Sequence, residues 1–380
     1  MASPMRVLLL CDRLDVSGGV ERFVCALANH LADEGMDAAV GSVDSVREDI
    51  RYPLKPQVRV LAGDRKRAAA EVDGGSRVAR AWRLARTQWR IGRSLNRIIR
   101  AERPDVIVLN GLTTACSVLL LDRRFASRAI CCDHNHFSAR SRLWQRLRAR
   151  LYPRVAALVS LTEADAPKFR ALNPRTEVIY NSSSLRADAP ALTREPVVLA
   201  VGRHVAQKGF DTLVHAWAEV TRALPHARLR IVGDGPLRAA HEQLAHELGV
   251  ADSIEWLAPT REIERLYRSA AVFVLSSRYE GMPLALLEAQ ALGVPAVSFD
   301  CPTGPGEIVT PQTGRLVPPG DAKGLAAALV ELLSSPELRE RMGQAAIARS
   351  RELFGPQAHE GRWTALIREV ALRHAYGSAA

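Results

Sequence analysis

Short apolar runs and segments of helical period alternate along almost the whole chain. RVLLLC (6–11), VRVLA (58–62), DVIVLN (105–110), RAICCD (128–133) and ALVSLT (157–162) have the unbroken apolar character of strands buried on both faces. Helices are expected among them near 20–34, 77–101, 140–152 and 163–172. The periodicity breaks at RADAPALTREP (186–196), a Pro/Ala-rich stretch that reads as an interdomain linker. It then restarts with strands at PVVLAVG (196–202), ARLRIVG (227–233), SIEWLA (253–258), AVFVLS (271–276) and PAVSFD (295–300). Helices near 209–224, 235–248, 260–270, 283–292 and 322–333 separate them, with Asp321 placed to cap the last. Residues 336–376 are helical in period. The pattern predicts an α/β protein: two doubly wound, Rossmann-like parallel sheets facing a cleft, in domains 1–188 and 195–355. Such sheets bind ligands beyond the carboxyl ends of their strands.

Composition narrows the partners. A chain of 380 residues, 47% apolar and 24% charged, is an ordinary globular protein with room for two cores. Its net charge of +11 favours an anionic partner: a nucleotide, a phosphorylated or lipid-linked substrate, an acidic membrane surface or nucleic acid. The six cysteines show no CxxC or finger spacing and read as reduced, buried thiols of a cytoplasmic protein. No apolar stretch reaches the roughly 18–20 residues of a membrane span. The run Val7–Leu10 meets Asp12 too soon to be a signal-peptide core.

Three segments carry chemistry. In SSRYEGMPLALLEAQALG, Pro283 suits the first turn of a helix and Gly281 lets the chain turn tightly beside a ligand. Unpaired N–H groups around Met282, Pro283 and Leu284 then offer a phosphate site at the positive end of the helix. Glu280 sits just outside that site, and Glu288 further along could accept from ribose hydroxyls. The plainer alternative makes Glu280 a dipole partner and Glu288 a solvated face residue. In VGRHVAQKGFDTL (201–213), Arg203 and Lys208 lie on the loop after a strand, where two cations could grip a pyrophosphate or simply be surface charges. Gly18 and Gly19 follow the first strand and either admit a sugar or phosphate to the backbone or make only a turn.

Taken in order, VGRHVAQKGFD, IVGDGP, SSRYEGMPLALLEAQALGVPAV, CPTGPGEIV and GRLVPPGD resemble the family 4 retaining glycosyltransferases of the GT-B fold. The glycine pair at 18–19 and VIYNSSSL (178–185) carry the likeness across nearly the full length. The CPTGPGEIV version is similar to bacterial enzymes of lipopolysaccharide, capsule or lipid-linked glycan synthesis. The resemblance implies that Arg203 and Lys208 hold the nucleotide diphosphate. It places Glu280 beside the donor sugar, Glu288 at the ribose, and the backbone of Gly281–Leu284 on phosphate and sugar. It places His134, in CCDHNHF, near the anomeric centre, and returns helices at about 356–380 to the first domain. Ser182 stands where the family usually has proline.

The expected reaction is transfer, with retention, of a hexose or N-acetylhexosamine from a nucleotide-sugar to a growing surface-polysaccharide or lipid-linked glycan; a UDP-sugar is the expected donor. A sugar-nucleotide epimerase or hydrolase on the same fold, and a non-catalytic nucleotide- or glycan-binding protein, are the alternatives. A dehydrogenase is disfavoured because GxGxxG follows none of the expected strands. No metal or other cofactor is expected: His134 and His136 would point one way on a strand, but no further Cys/His spacing supports a site. Arginines 83, 86, 90, 93, 97 and 100 form one helical stripe, with Val78, Trp82, Ala85, Trp89 and Ile99 expected on the opposite side. Arg142, Arg146, Arg150 and Arg154 form a second stripe. Either stripe is a solvated face, or docks on the phosphates of a lipid-linked acceptor or on an anionic membrane, the last of which would put the protein at the inner face of the plasma membrane. Nucleic acid is disfavoured for want of a stacking array.

Overall fold

The computed structural model describes residues 4–16, 18–43, 45–63, 77–187 and 195–377, and the side chains of 77–81 are outside that description. The chain divides into two compact units, Met1–Ile179 with Glu360–Ala380 and Tyr180–His359. Most of the expected linker, 188–194, lies outside the described residues.

The first unit runs β1 (Arg6–Leu10), α1 (Gly19–Asp33), β2 (Asp37–Ser42), β3 (Arg59–Ala62), α2 (Arg77–Glu102) and β4 (Val106–Asn110). It continues through α3 (Leu112–Leu121), β5 (Ala129–Cys132), α4 (Arg142–Leu151), β6 (Ala157–Ser160), α5 (Ala166–Arg170) and β7 (Thr176–Val178). Its seven strands are all parallel, in the order β3-β2-β1-β4-β5-β6-β7. Leu9 is flanked in register by Val40 and Val108, so the apolar run of β1 lies at the centre. One face of the sheet packs on Leu95 and Ile99 of α2, Cys116 and Leu119 of α3, and Leu151 of α4.

The second unit runs β8 (Glu195–Val201), α6 (Phe210–Ala223), β9 (Arg228–Val232), α7 (Arg238–Glu247), β10 (Ile254–Leu257) and α8 (Ile263–Ser269). After it come β11 (Ala270–Leu275), α9 (Leu284–Ala291), β12 (Ala296–Phe299), α10 (Pro305–Ile308), β13 (Gly314–Val317), α11 (Ala322–Ser334) and α12 (Pro336–Phe354). The last helix, α13, spans Pro356–Gly377. Six parallel strands lie in the order β10-β9-β8-β11-β12-β13. Trp217 of α6 is fully buried against this sheet and donates its indole N–H to Ser253 at 2.9 Å. Asp321 caps α11 by accepting from Gly324 N at 2.9 Å, as its position predicts.

Three strands and two helices depart from the sequence expectation, one of the helices being α10, whose four residues are too few to show a period. β2, β7 and β13 are Ala/Gly-rich or only three or four residues long, and the other helix, α3 (LTTACSVLLL), is apolar on nearly every side, so none of these shows a period either. The face of α2 is also corrected. Its buried side is Gly92, Leu95, Asn96, Ile98 and Ile99, whereas Trp82 and Trp89 are 73% and 48% exposed, and Ala85 is exposed with them. Val78 lies outside the described side chains. His134 and His136 are not on a strand, because β5 ends at Cys132 and His134 adopts φ +55°.

Candidate functional site

In each sheet the strand order reverses once, between β1 and β4 and between β8 and β11. Crossovers leave that point in opposite directions, which opens the sheet's carboxyl edge to a ligand. In the second unit the loop after β8 carries Arg203 and Lys208, and the loop after β11 carries Glu280 to Pro283. Both loops therefore begin at the reversal.

The structure brings Lys208 and Glu280 together: Nζ lies 2.7 Å from Oε1, and the carboxylate is buried. A set of bonds holds the two loops in register. Ser276 Oγ donates to Lys208 O at 2.8 Å, Arg278 N to Gln207 O at 2.8 Å, and the Gln207 side-chain amide to Tyr279 O at 3.0 Å. Arg278 also ties Ala206 O and the Asp211 carboxylate, at 2.5 and 2.6 Å. Gly209, at φ +61°, sits against Ser276 O where a Cβ would collide. These tethers were not legible in the pattern, since Ser276, Gln207 and Arg278 act through backbone contacts between segments seventy residues apart. Arg203 is exposed, on the same loop as Lys208.

The turn at 280–283 is buttressed from two sides. Thr303 Oγ1 donates to Glu280 O at 2.6 Å, and Gly304, at φ +89°, packs so closely on Gly281 that a Cβ would strike Gly281 O. Asn181 Nδ2 donates to Met282 O at 2.9 Å. The CPTGPGEIV and VIYN segments, quoted above only for their likeness, thus shape the glycine turn. Pro283 is the N-cap of α9 rather than its first residue, and its carbonyl receives the first intrahelical bonds, from Leu286 and Leu287. The N–H groups of Leu284 and Ala285 precede those bonds, so the positive end of the helix begins directly after Met282. Glu288 lies one turn inside α9, only 3% exposed, and accepts from Tyr267 Oη at 2.9 Å. That burial rules out the solvated-face alternative for Glu288. The Tyr267 partner had no sequence signal.

In the first unit the reversal point holds Gly18, Gly19 and His134. Gly18 is the N-cap of α1 and Gly19 its first residue. His134, half-buried, places Nε2 2.8 Å from Asn110 Oδ1 and its ring 4.6 Å from that of Phe23. The Asn110 amide nitrogen already donates to Leu10 O and Val108 O, which fixes Oδ1 as an acceptor. His134 therefore donates from Nε2 and carries its lone pair on Nδ1. Desolvation pushes its pKa down to about 3, so the ring is neutral through the physiological range. The backbone on either side is fixed by Asp133, whose carboxylate takes Arg148 at 3.0 Å and the Tyr152 hydroxyl, and by Phe137 O, which accepts from Arg148 at 2.7 Å. His136 is depressed by burial. Among the described residues no group of three or more His, Cys, Asp or Glu is placed to hold a metal ion.

Two cations, a helix N-terminus and a carboxylate at the reversal point of a doubly wound sheet are features that suit an anionic, phosphate-bearing ligand. Comparison with known proteins gives that class its family. The "Glycosyl transferase 4-like domain" matches residues 18–182 and "Glycosyl transferases group 1" matches residues 182–349. The amylovoran biosynthesis glycosyltransferase AmsD of Erwinia amylovora is 28% identical over 374 residues, covering 95% of this chain and 99% of its own. Among solved structures, a sucrose-phosphate synthase from Thermosynechococcus elongatus superposes with a TM-score of 0.79 at 20% identity, over 96% of this chain and 99% of that one. Anabaena HepE in complex with UDP gives 0.72 at 17% identity, over 96% and 100%. The chain belongs to the group 1, family 4 glycosyltransferases: it has their GT-B fold and is an enzyme of this retaining family, related to bacterial exopolysaccharide and lipopolysaccharide-core transferases.

Proposed function

We propose that the enzyme transfers a hexose or N-acetylhexosamine from a UDP-sugar to a growing surface-polysaccharide or lipid-linked glycan, and that Lys208, Glu280, Arg203 and the start of α9 form its donor site. The observation that carries this reading is the 2.7 Å pair of Lys208 and Glu280 beside the N-terminus of α9. A bound diphosphate would take Arg203, Lys208 and the N–H groups after Met282, leaving the Glu280 carboxylate for the sugar. Glu288 would meet the ribose, and Gly18 and Gly19 would let backbone approach the donor. The UDP bound in HepE supports uridine as the base, and the role of AmsD in amylovoran synthesis supports a polysaccharide acceptor. A cytoplasmic location is supported by six free, buried cysteines.

In the proposed step the acceptor oxygen forms a bond to the anomeric carbon as the bond from that carbon to the diphosphate oxygen breaks. Both events occur on one face, and the acceptor proton passes to the departing diphosphate. Arg203, Lys208 and the helix N-terminus stabilise the charge that develops on the leaving group. His134, neutral and with Nδ1 as acceptor, would orient a sugar hydroxyl rather than donate a proton. The reaction is proposed to need no metal.

Glu280→Gln tests the assignment. It should lose transfer by two orders of magnitude or more, on the scale of a missing electrostatic contact (about 10²–10³), while still binding free UDP. Full activity in that variant would remove Glu280 from the mechanism.

A further inference from the structure

The outer side of α2 is a mixed aromatic and cationic surface. Successive steps of three and four residues place Trp82, Arg86, Trp89, Arg90 and Arg93 on one face, opposite the buried Leu95 and Ile99. Trp82 and Trp89 are 73% and 48% exposed, and the Arg93 guanidinium stands 5.2 Å from the Trp89 ring. The seven-residue spacing sets the two indoles about 10 Å apart along the helix and on the same side. At Gly92, on the buried side, the helix crosses α3 so closely that a Cβ would strike Ser117 O, so the aromatic and cationic face is the one turned away from that packing.

We propose that this face of α2 docks flat on an anionic lipid bilayer. Indoles partition to the boundary between headgroups and acyl chains, and arginines between them reach phosphate with their stems lying along apolar surface. Arginines four apart repel one another, so a dense, diffuse array of negative charge relieves a cost that water does not. The net charge of +11 adds long-range attraction to the same partner. Two indoles about 10 Å apart do not make the close array on which successive bases stack, which favours lipid over single-stranded nucleic acid. Among the described residues no helix is long and apolar enough to cross a membrane, so the contact is one of surface docking.

Co-sedimentation of the full chain with sucrose-loaded vesicles tests this. Vesicles of equal parts phosphatidylcholine and phosphatidylglycerol should retain the protein, and phosphatidylcholine alone should not. Added salt should release it. Arg86→Gln/Arg90→Gln/Arg93→Gln should weaken binding on the order of a hundredfold, at about 1 kcal/mol for each arginine near the surface. Trp82→Ala/Trp89→Ala should weaken it too and abolish the blue shift of tryptophan fluorescence on binding. If a glutamine variant melts lower than wild type, Arg86→Lys/Arg90→Lys/Arg93→Lys, which keeps the charge, must keep the binding. Equal recovery on both vesicles, or wild-type binding by the variants, overturns the proposal. So does a result in which the variants lose a single-stranded oligonucleotide but keep the vesicles. UDP-induced thermal stabilisation should be unchanged in all of them, which separates failure of this surface from failure of the donor-site assignment.

Discussion

Lys208 and Glu280 are partly desolvated and held 2.7 Å apart, so each is the other's counter-ion in the ligand-free protein. Lys208→Met leaves the buried Glu280 carboxylate without that partner and should cost about 1–3 kcal/mol in urea unfolding, the range for a charged hydrogen bond lost from the interior. Adding Glu280→Gln should recover part of that loss; strict additivity of the two changes would mean the pair contributes nothing. Gly304 is under a different constraint. Its φ of +89° and its contact with Gly281 both exclude a Cβ, so Gly304→Ala should cost about 1–3 kcal/mol and displace the 280–283 turn. UDP affinity measured by calorimetry should fall with it, and unchanged affinity would show that the turn tolerates the shift. The two glutamates and two cations were legible in the sequence because their residue types stand out beside glycine and proline. Thr303, Gly304, Asn181 and Tyr267 were not, because what matters is a backbone or buried contact whose partner lies far along the chain.

Among the elements, β1, β4, β8 and β11 could be read from the sequence because a strand buried on both faces is an uninterrupted apolar run. They are also the strands that flank the two reversal points, so the placement of the candidate site rests on the same signal. The faces of α2 could not be read, since tryptophan and arginine share a stripe and apolar character alone assigned the indoles to the core. The loop after β8 and the helix α7 supply a second test at this scale. His204 and His241 are buried with their Nδ1 atoms 2.9 Å apart. Burial first, and repulsion from His241 second, push His204 down to about 4, and burial lowers His241 as well. Both rings are therefore neutral when folded but take up protons below about 6.5 when unfolded. Their contribution to stability is complete above pH 6.5 and is lost as pH falls toward 4. His204→Phe should flatten the decline in urea midpoint between pH 7 and pH 5, leaving the shares of His241, His134 and His136, which burial also lowers. An unaltered decline would clear the pair of that role.

At the scale of the whole molecule, two parallel α/β units divide the work proposed for a family 4 transferase. The second unit presents the constellation proposed to bind the diphosphate, and the first presents His134 and the cationic helices α2 and α4. Arg148 of α4 lies outside the exposed stripe there: it is buried on Asp133, while Arg142, Arg146 and Arg150 face solvent. Buried Asp133, Arg148 and Tyr152 make the loop bearing His134 rigid before any ligand arrives. The charge excess is thus partly structural and partly free to meet an anion.

The central claim is that the loops after β8 and β11 and the start of α9 bind a nucleoside diphosphate, and thermal melting with UDP, GDP and ADP tests it most directly. One of the three, expected to be UDP, should raise the midpoint of the wild-type chain, by the linkage of ligand binding to folding. The shift should vanish in Arg203→Ala/Lys208→Ala. An equal shift in that variant, or none with any diphosphate in the wild type, would contradict the account.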